Sequence, residues 1–251
     1  MSFIGDVRLV CLSDMYYLKR NIIVLVATSL VTPLLYLVAF GWGLGDGVTM
    51  EYDGRDYSYI AYMIPGTVAL TSLTAGFTTV SNKLMIQRKF YESFDEMMLC
   101  PVTKSSIILG KAVLGIIKSM LCSFFMLALG CLLTDDMSVT PVLIATVATS
   151  CVVFSLLGVA AGMNVRDLPH MNAINSFVIL PMTFLCGTMF PVDKMPEVIG
   201  YAVRVLPLTP SSECVRAAAL GADFPWISLL IMLAWGVLFF IVARHGLRQS
   251  D

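Results

Sequence analysis

Residues 83 to 111 read KLMIQRKFYESFDEMMLCPVTKSSIILGK, a charged interlude in a chain that is otherwise mostly apolar. Ile86, Phe90, Phe94 and Met97 recur at steps of four, four and three, so they share one face of a helix. Arg88, Lys89, Glu92, Asp95 and Glu96 fall mostly elsewhere. The pattern predicts an amphipathic helix over residues 84 to 100. Pro101 ends it, because the residue before a proline is pushed out of the helical region and the proline has no amide hydrogen to donate. Apolar sequence resumes at once. A helix lying flat on a bilayer between two spans is either a handle for something outside the membrane or packing against headgroups, and periodicity alone leaves both open.

Outward from this stretch, 58% of the 251 residues are hydrophobic and 13% charged, with a mean hydropathy of +0.85. A soluble domain carries about 25% charged residues, so the composition is that of an integral membrane protein. A net charge of -1 argues against nucleic acid as a partner, since phosphates call for a basic field. Cys11, Cys100, Cys122, Cys131, Cys151, Cys186 and Cys214 stand singly, with no CxxC pair and no histidine at metal-ligand spacing. They fit as small apolar fillers.

A bilayer core of about 30 Å needs roughly 20 apolar residues per helix. Six segments meet that length, near residues 21 to 43, 59 to 82, 107 to 133, 139 to 163, 171 to 190 and 226 to 243. Twelve of the sixteen Lys and Arg residues fall on one side, in alternate loops or in the span residues nearest them, and the cytoplasmic side of a membrane protein holds that excess. With an even number of spans, both termini are expected in the cytoplasm. The first twenty residues are too polar to span and are expected to form an interfacial helix feeding the first span, which is retained because no small-residue cleavage site closes it. Residues 1 to 251 are expected to form a single domain, with no repeat and no long linker.

The longest outer segment runs from Pro191 to Pro225. Met195, Val198, Ile199, Ala202, Val203 and Leu206 follow an apolar helical face that Pro207 ends. Thr209 is placed to cap a second helix with Pro210 at its first position, and Gly221 stands where that helix would stop. At about 16 Å it is too short to cross. Both helices are expected at, or dipping into, the outer leaflet.

None of the seventeen Asp and Glu residues falls in the middle of a predicted span, which argues against an ion-coupled carrier. Lys118 is the deepest charge, and its long stem is expected to snorkel to the inner interface. Lys111 is followed by Ala112, and Ser105 stands where a P-loop needs its first glycine. HExxH and GxSxG are likewise absent. His170 follows Arg166 and Asp167 in a short inner turn, where a solvated or capping role is expected.

Three blocks resemble one family, the type-2 ABC transporter permeases, the membrane subunits of ATP-driven exporters of drugs, nodulation factors and polysaccharides. The first is LKRNIIVLVATSLVTPLLYLVAFGWGLG, with Arg20, Pro33, Leu34, Leu35, Tyr36, Phe40 and Gly41. The second joins YIAYMIPG to RKFYESFDEMMLCPVTKSSIILGK. The third, GTMFPVDKMPEVIGYAVRVLPLTPSSECVRAAALG, carries Gly187, Phe190, Pro191, Met195, Pro196, Pro207, Leu208, Thr209, Arg216 and Gly221. Glu92 stands where many members have glycine, and Asp95 where they have glutamate.

The resemblance implies an all-α membrane protein of six spans that dimerises with a second copy or a homologous permease. A cytoplasmic ABC ATPase would bind ATP and magnesium in place of this chain, which needs no cofactor. Arg88, Lys89, Glu92, Asp95, Glu96 and Pro101 would belong to the coupling helix that receives ATPase motion. Pro191, Pro196, Pro207, Thr209, Arg216 and Gly221 would belong to a re-entrant pair closing the exit. The alternative is an ion-coupled or passive carrier acting without an ATPase in the same membrane.

Overall fold

The computed structural model describes residues 3–42, 49–89, 93–100, 102–134, 136–165, 167–188, 200 and 203–248, apart from the side chains of Trp42, Ser93, Asp95 and Arg248. Among these, five helices are long and apolar enough to cross a membrane. They are α1 (Phe3–Tyr36, continued by a π-helical stretch at Leu37–Trp42), α2 (Tyr59–Lys89), α4 (Lys104–Leu133), α5 (Pro141–Asn164) and α9 (Trp226–Arg248). Shorter pieces are α3 (Ser93–Met98), α6 (Leu168–Ile174), α7 (Leu180–Leu185) and α8 (Leu208–Leu220). The chain is thus an all-α integral membrane protein with one small exception. Strands β1 (Thr49–Tyr52) and β2 (Arg55–Ser58) pair antiparallel in the loop before α2. Asp53 and Gly54 both have positive φ, 53° and 71°, which is the backbone of a two-residue hairpin turn.

The bundle is built around α2, which packs against α4, α5 and α8, while α9 packs on α5 and α1 on α4. This position explains its composition. Its hydropathy of 1.4 is the lowest of the five long helices, against 2.5 for α9. A helix surrounded by protein has no lipid to match, so hydroxyl-bearing side chains are tolerated along it. Thr67, Thr71, Ser72, Thr74, Thr78 and Thr79 each donate back to a carbonyl three or four residues earlier in the same helix. Close approach does the rest. A Cβ on Gly158 of α5 would lie 2.9 Å from the Phe77 carbonyl oxygen, so a larger residue would force α2 and α5 apart.

Three expectations change. The N-terminal residues do not form a separate interfacial helix; they are the first half of a continuous 34-residue α1. Asp6, Val10, Asp14 and Leu18, at steps of four, are its buried stripe, and Val10 sits against Gly110 of α4. Nor do the apolar residues of 84 to 100 make one packed face; α2 is described to Lys89 and α3 from Ser93, and residues 90–92 lie outside the described residues. Phe94 is buried while Ile86 is 42% exposed, so the two do not share one packed face. Third, the span expected at 171 to 190 is not among the five long helices. Residues 168–185 run through α6, a π-helical stretch at Asn175–Ile179, and α7. Pro181 has no amide to donate to the Phe177 carbonyl four residues back, which lies inside that π turn.

Candidate functional site

At the inner end, α2 continues past the bundle and α3 follows it. Phe94 is the buried anchor of α3, with Met97 and Met98 half-buried beside it, while Glu96, Leu99 and Cys100 are exposed. Arg88 turns inward. Its guanidinium donates to the Gly162 carbonyl at 3.0 Å and to that of Met163, and its plane lies 5.9 Å from the Phe94 ring. These carbonyls belong to the last turn of α5, where a cation both satisfies orphan acceptors and complements the helix dipole. Arg88 therefore joins the ends of α2, α3 and α5. Lys89 instead faces outward, 3.9 Å from Asp167 in an exposed pair. His170 lies 4.0 Å from the same carboxylate and is exposed, as the sequence suggests. Glu92, Pro101 and the side chain of Asp95 lie outside the described residues, so the coupling set is placed only at Arg88, Lys89 and Glu96.

At this end of the bundle, α1 contributes a charge that the sequence reading missed. Asp14 is 1% exposed and lies 2.8 Å from Lys83 of α2 and 3.1 Å from Lys111 of α4. The Tyr17 ring sits 4.2 Å from the Lys83 ammonium. One carboxylate thus ties three helices together. Its signal was present, since Asp6 and Asp14 recur on the Val10 and Leu18 stripe, and an acid repeating in step with apolar residues marks a packed face. Lys118 does not snorkel. It is 3% exposed and donates to the Thr79 hydroxyl at 2.7 Å, because its face of α4 is turned to α2 rather than to lipid.

The outer end is organised by α8. Twelve of its thirteen residues are buried, so a helix too short to span is shielded by protein. Its carbonyl end is fully used. Gly221, with a φ of 68°, and Ala222 both donate to Ala217. Thr140 donates to Ala218, Ser138 to Ala219 and Tyr57 of the hairpin to Leu220. Gly221 ends the helix where expected. Thr209 does not begin it: the helix starts at Leu208 after Pro207, and the Thr209 hydroxyl donates back to Val203 at 2.6 Å instead of accepting as a cap. Ser150 of α5 meets Ser211 at 2.8 Å.

Arg216 is the centre of this end. Its Nε donates to the Tyr62 carbonyl at 3.2 Å and a terminal nitrogen to Gly187 at 2.6 Å, while the guanidinium lies 3.8 Å from the Tyr62 ring. The Tyr52 ring covers it from the hairpin side at 6.0 Å. Burial pushes the Tyr52 phenol above its ordinary value, an effect the Arg216 charge opposes. Beside it lies a cavity of about 330 Å³ lined by Glu51, Asp53, Glu213 and Asp223. Pro191 and Pro196 lie outside the described residues, as does most of the first outer helix. Among the described residues there is no cluster able to hold a metal ion.

The chain is 26% identical to Nodulation protein J of Rhizobium meliloti over 235 residues, covering 92% of this chain and 88% of that protein. It is 27% identical to Nodulation protein J of Bradyrhizobium diazoefficiens over 86% of this chain and 82% of the relative. It is 22% identical to the inner membrane transport permease YadH of Escherichia coli, covering 84% of this chain and 82% of that protein. Residues 10–220 match the family described as ABC-2 type transporter. The match runs from Val10 within α1 through α8, taking in the Asp14 junction and the Arg216 centre alike, and the chain belongs to that family as a membrane permease component of an ABC transporter.

Proposed function

We propose that the chain is one half of an ATP-driven exporter of the inner membrane. Two copies, or this chain and a homologous permease, form the pathway, and a separate cytoplasmic ABC ATPase binds ATP and magnesium beneath them. Residues 168–185 supply the sixth crossing, and both termini lie in the cytoplasm. Lys89, Glu92, Asp95 and Glu96 face the ATPase on the coupling segment that Pro101 closes. Pro191, Pro196, Pro207, Thr209, Arg216 and Gly221 hold the outer segment that closes the exit.

The observation that carries this reading is Arg88. A coupling element must transmit displacement, and a guanidinium bonded to the last carbonyls of α5 while packed on Phe94 links α3 to two of the long helices at once. A carrier acting alone has no use for such a joint beneath an exposed acid. The test is charge reversal of Asp95 and Glu96 to lysine. Like charges set against a complementary docking face cost several kcal/mol, so the variant inserts normally but loses both export and ATPase co-purification. A double variant that expresses and still co-purifies with an ATPase at the wild-type level overturns the assignment of α3.

A further inference from the structure

We propose that the cleft between α1 and α2 binds the anionic, phosphate-bearing headgroup of an amphiphile. This deepens the exporter reading and rests on it. The cleft has a volume of about 810 Å³. Its wall is polar for a surface between membrane helices: Thr28, Ser29 and Thr32 from α1 face Thr74, Thr78 and Asn82 from α2. Thr28, Thr74 and Thr78 donate to carbonyls of their own helices, and a hydroxyl so paired can rotate to donate to a headgroup in its place.

The charges at its inner end do not balance. Lys83 and Lys118 both line the cleft, and Lys111 lies one layer behind. Asp14 is shared by Lys83 and Lys111. Lys118, seven residues and about 10 Å along α4 from Lys111, has only the neutral Thr79 hydroxyl. The other buried acid of α1, Asp6, is eight residues or about 12 Å from Asp14 toward the N-terminus, on the far side of that junction. Among the described residues, therefore, three ammonium groups meet one carboxylate. Lys118 is only 3% exposed, and no carboxylate among the described residues neutralises it. Gln87 Oε1 is buried there without a hydrogen bond, while Lys83 Nζ pairs with the carboxylate it shares with Lys111. A phosphate seated between Lys83 and Lys118 supplies the missing charge and accepts from both, and a hydroxyl on the headgroup reaches Gln87.

The full chain in neutral detergent is titrated with phosphatidylglycerol, with phosphatidylcholine as the zwitterionic reference and glycerol 3-phosphate as the tail-free competitor, and bound species are resolved by native mass spectrometry. Phosphatidylglycerol is expected to bind in preference to phosphatidylcholine. Lys118→Gln is expected to weaken it about tenfold, the worth of one charge-assisted hydrogen bond. Thr78→Val keeps the side chain's shape and provides a second readout should Lys118→Gln fold poorly; it weakens binding by a smaller factor. Lys19→Gln, on an exposed face of α1 outside the cleft, leaves binding unchanged. Competition by intact lipid alone identifies an amphiphile as the ligand, and competition by glycerol 3-phosphate at equal strength identifies a soluble phosphate compound and overturns the amphiphile. Equal retention of phosphatidylglycerol by wild type, Lys118→Gln and Thr78→Val marks it as bulk lipid and overturns the site. The measurement needs no ATPase, so that failure would leave the exporter reading intact, just as a missing ATPase would leave the binding result intact.

Discussion

Arg216 and Lys118 are each 3% exposed, each leans on α2, and neither has a carboxylate at ion-pair distance among the described residues. Their contacts on α2, at Tyr62 and Thr79, are seventeen residues or about 25 Å apart along the helix, so they mark the two ends of one bundle. The difference lies in what their donors meet. Arg216 gives its hydrogens to two backbone carbonyls and its face to an aromatic ring, which disperses the charge over fixed dipoles. Lys118 meets one neutral hydroxyl beside a cleft. A buried cation spread over two fixed carbonyls and a ring holds the fold; one held by a single neutral hydroxyl beside a cleft is placed to hold a ligand.

The largest expected effect comes from the inner junction at Asp14. Asp14→Asn leaves Lys111 and Lys83 facing each other without their shared carboxylate. Breaking a buried pair by removing one partner costs about 3 to 5 kcal/mol. Thermal unfolding in detergent should show a large fall in midpoint, and a variant that melts with wild type would mean that α1 is not fastened to α2 and α4 through Asp14. Arg216→Leu comes next. It leaves the Gly187 carbonyl buried without its donor and opens the cavity beneath Tyr52, for a loss of about 3 kcal/mol. Arg216→Lys keeps the charge but cannot reach both carbonyls and the ring, so its midpoint should fall between the two.

Which of these residues could be found without coordinates follows from what fixes their surroundings. Long helices declare themselves by length and apolarity, and five of the expected spans correspond to α1, α2, α4, α5 and α9. The hairpin was equally open to reading, because Asp53-Gly54 is a strong two-residue turn signal, but the acids around it suggested only a loop. Arg216 stood in the most specific of the resembling blocks. Lys118 could not be placed, since snorkelling and burial use the same side chain and only the rotation of α4 against α2 decides between them. Thr209 shows a different gap. A hydroxyl beside proline can accept as a cap or donate backward, and Val203 being within reach is a tertiary fact.

The smallest effect is the most discriminating, because its sign is opposite. If Lys118 is a structural cation like Arg216, removing its charge should destabilise the chain. If its charge is uncompensated until a ligand arrives, the empty protein carries an unfavourable burial that a methionine of similar length relieves. Replacing buried charge by well-packed apolar groups is neutral or stabilising by about 1 to 4 kcal/mol in soluble proteins, and the Thr79 hydroxyl left behind still donates to Ala75 within its own helix. Lys118→Met is therefore expected to raise the unfolding midpoint slightly in lipid-free detergent. Added phosphatidylglycerol should then stabilise wild type more than the variant, narrowing or reversing that gap. A drop in midpoint like that of Arg216→Leu, unaffected by anionic lipid, would erase the distinction between the two ends and make Lys118 another brace of α2.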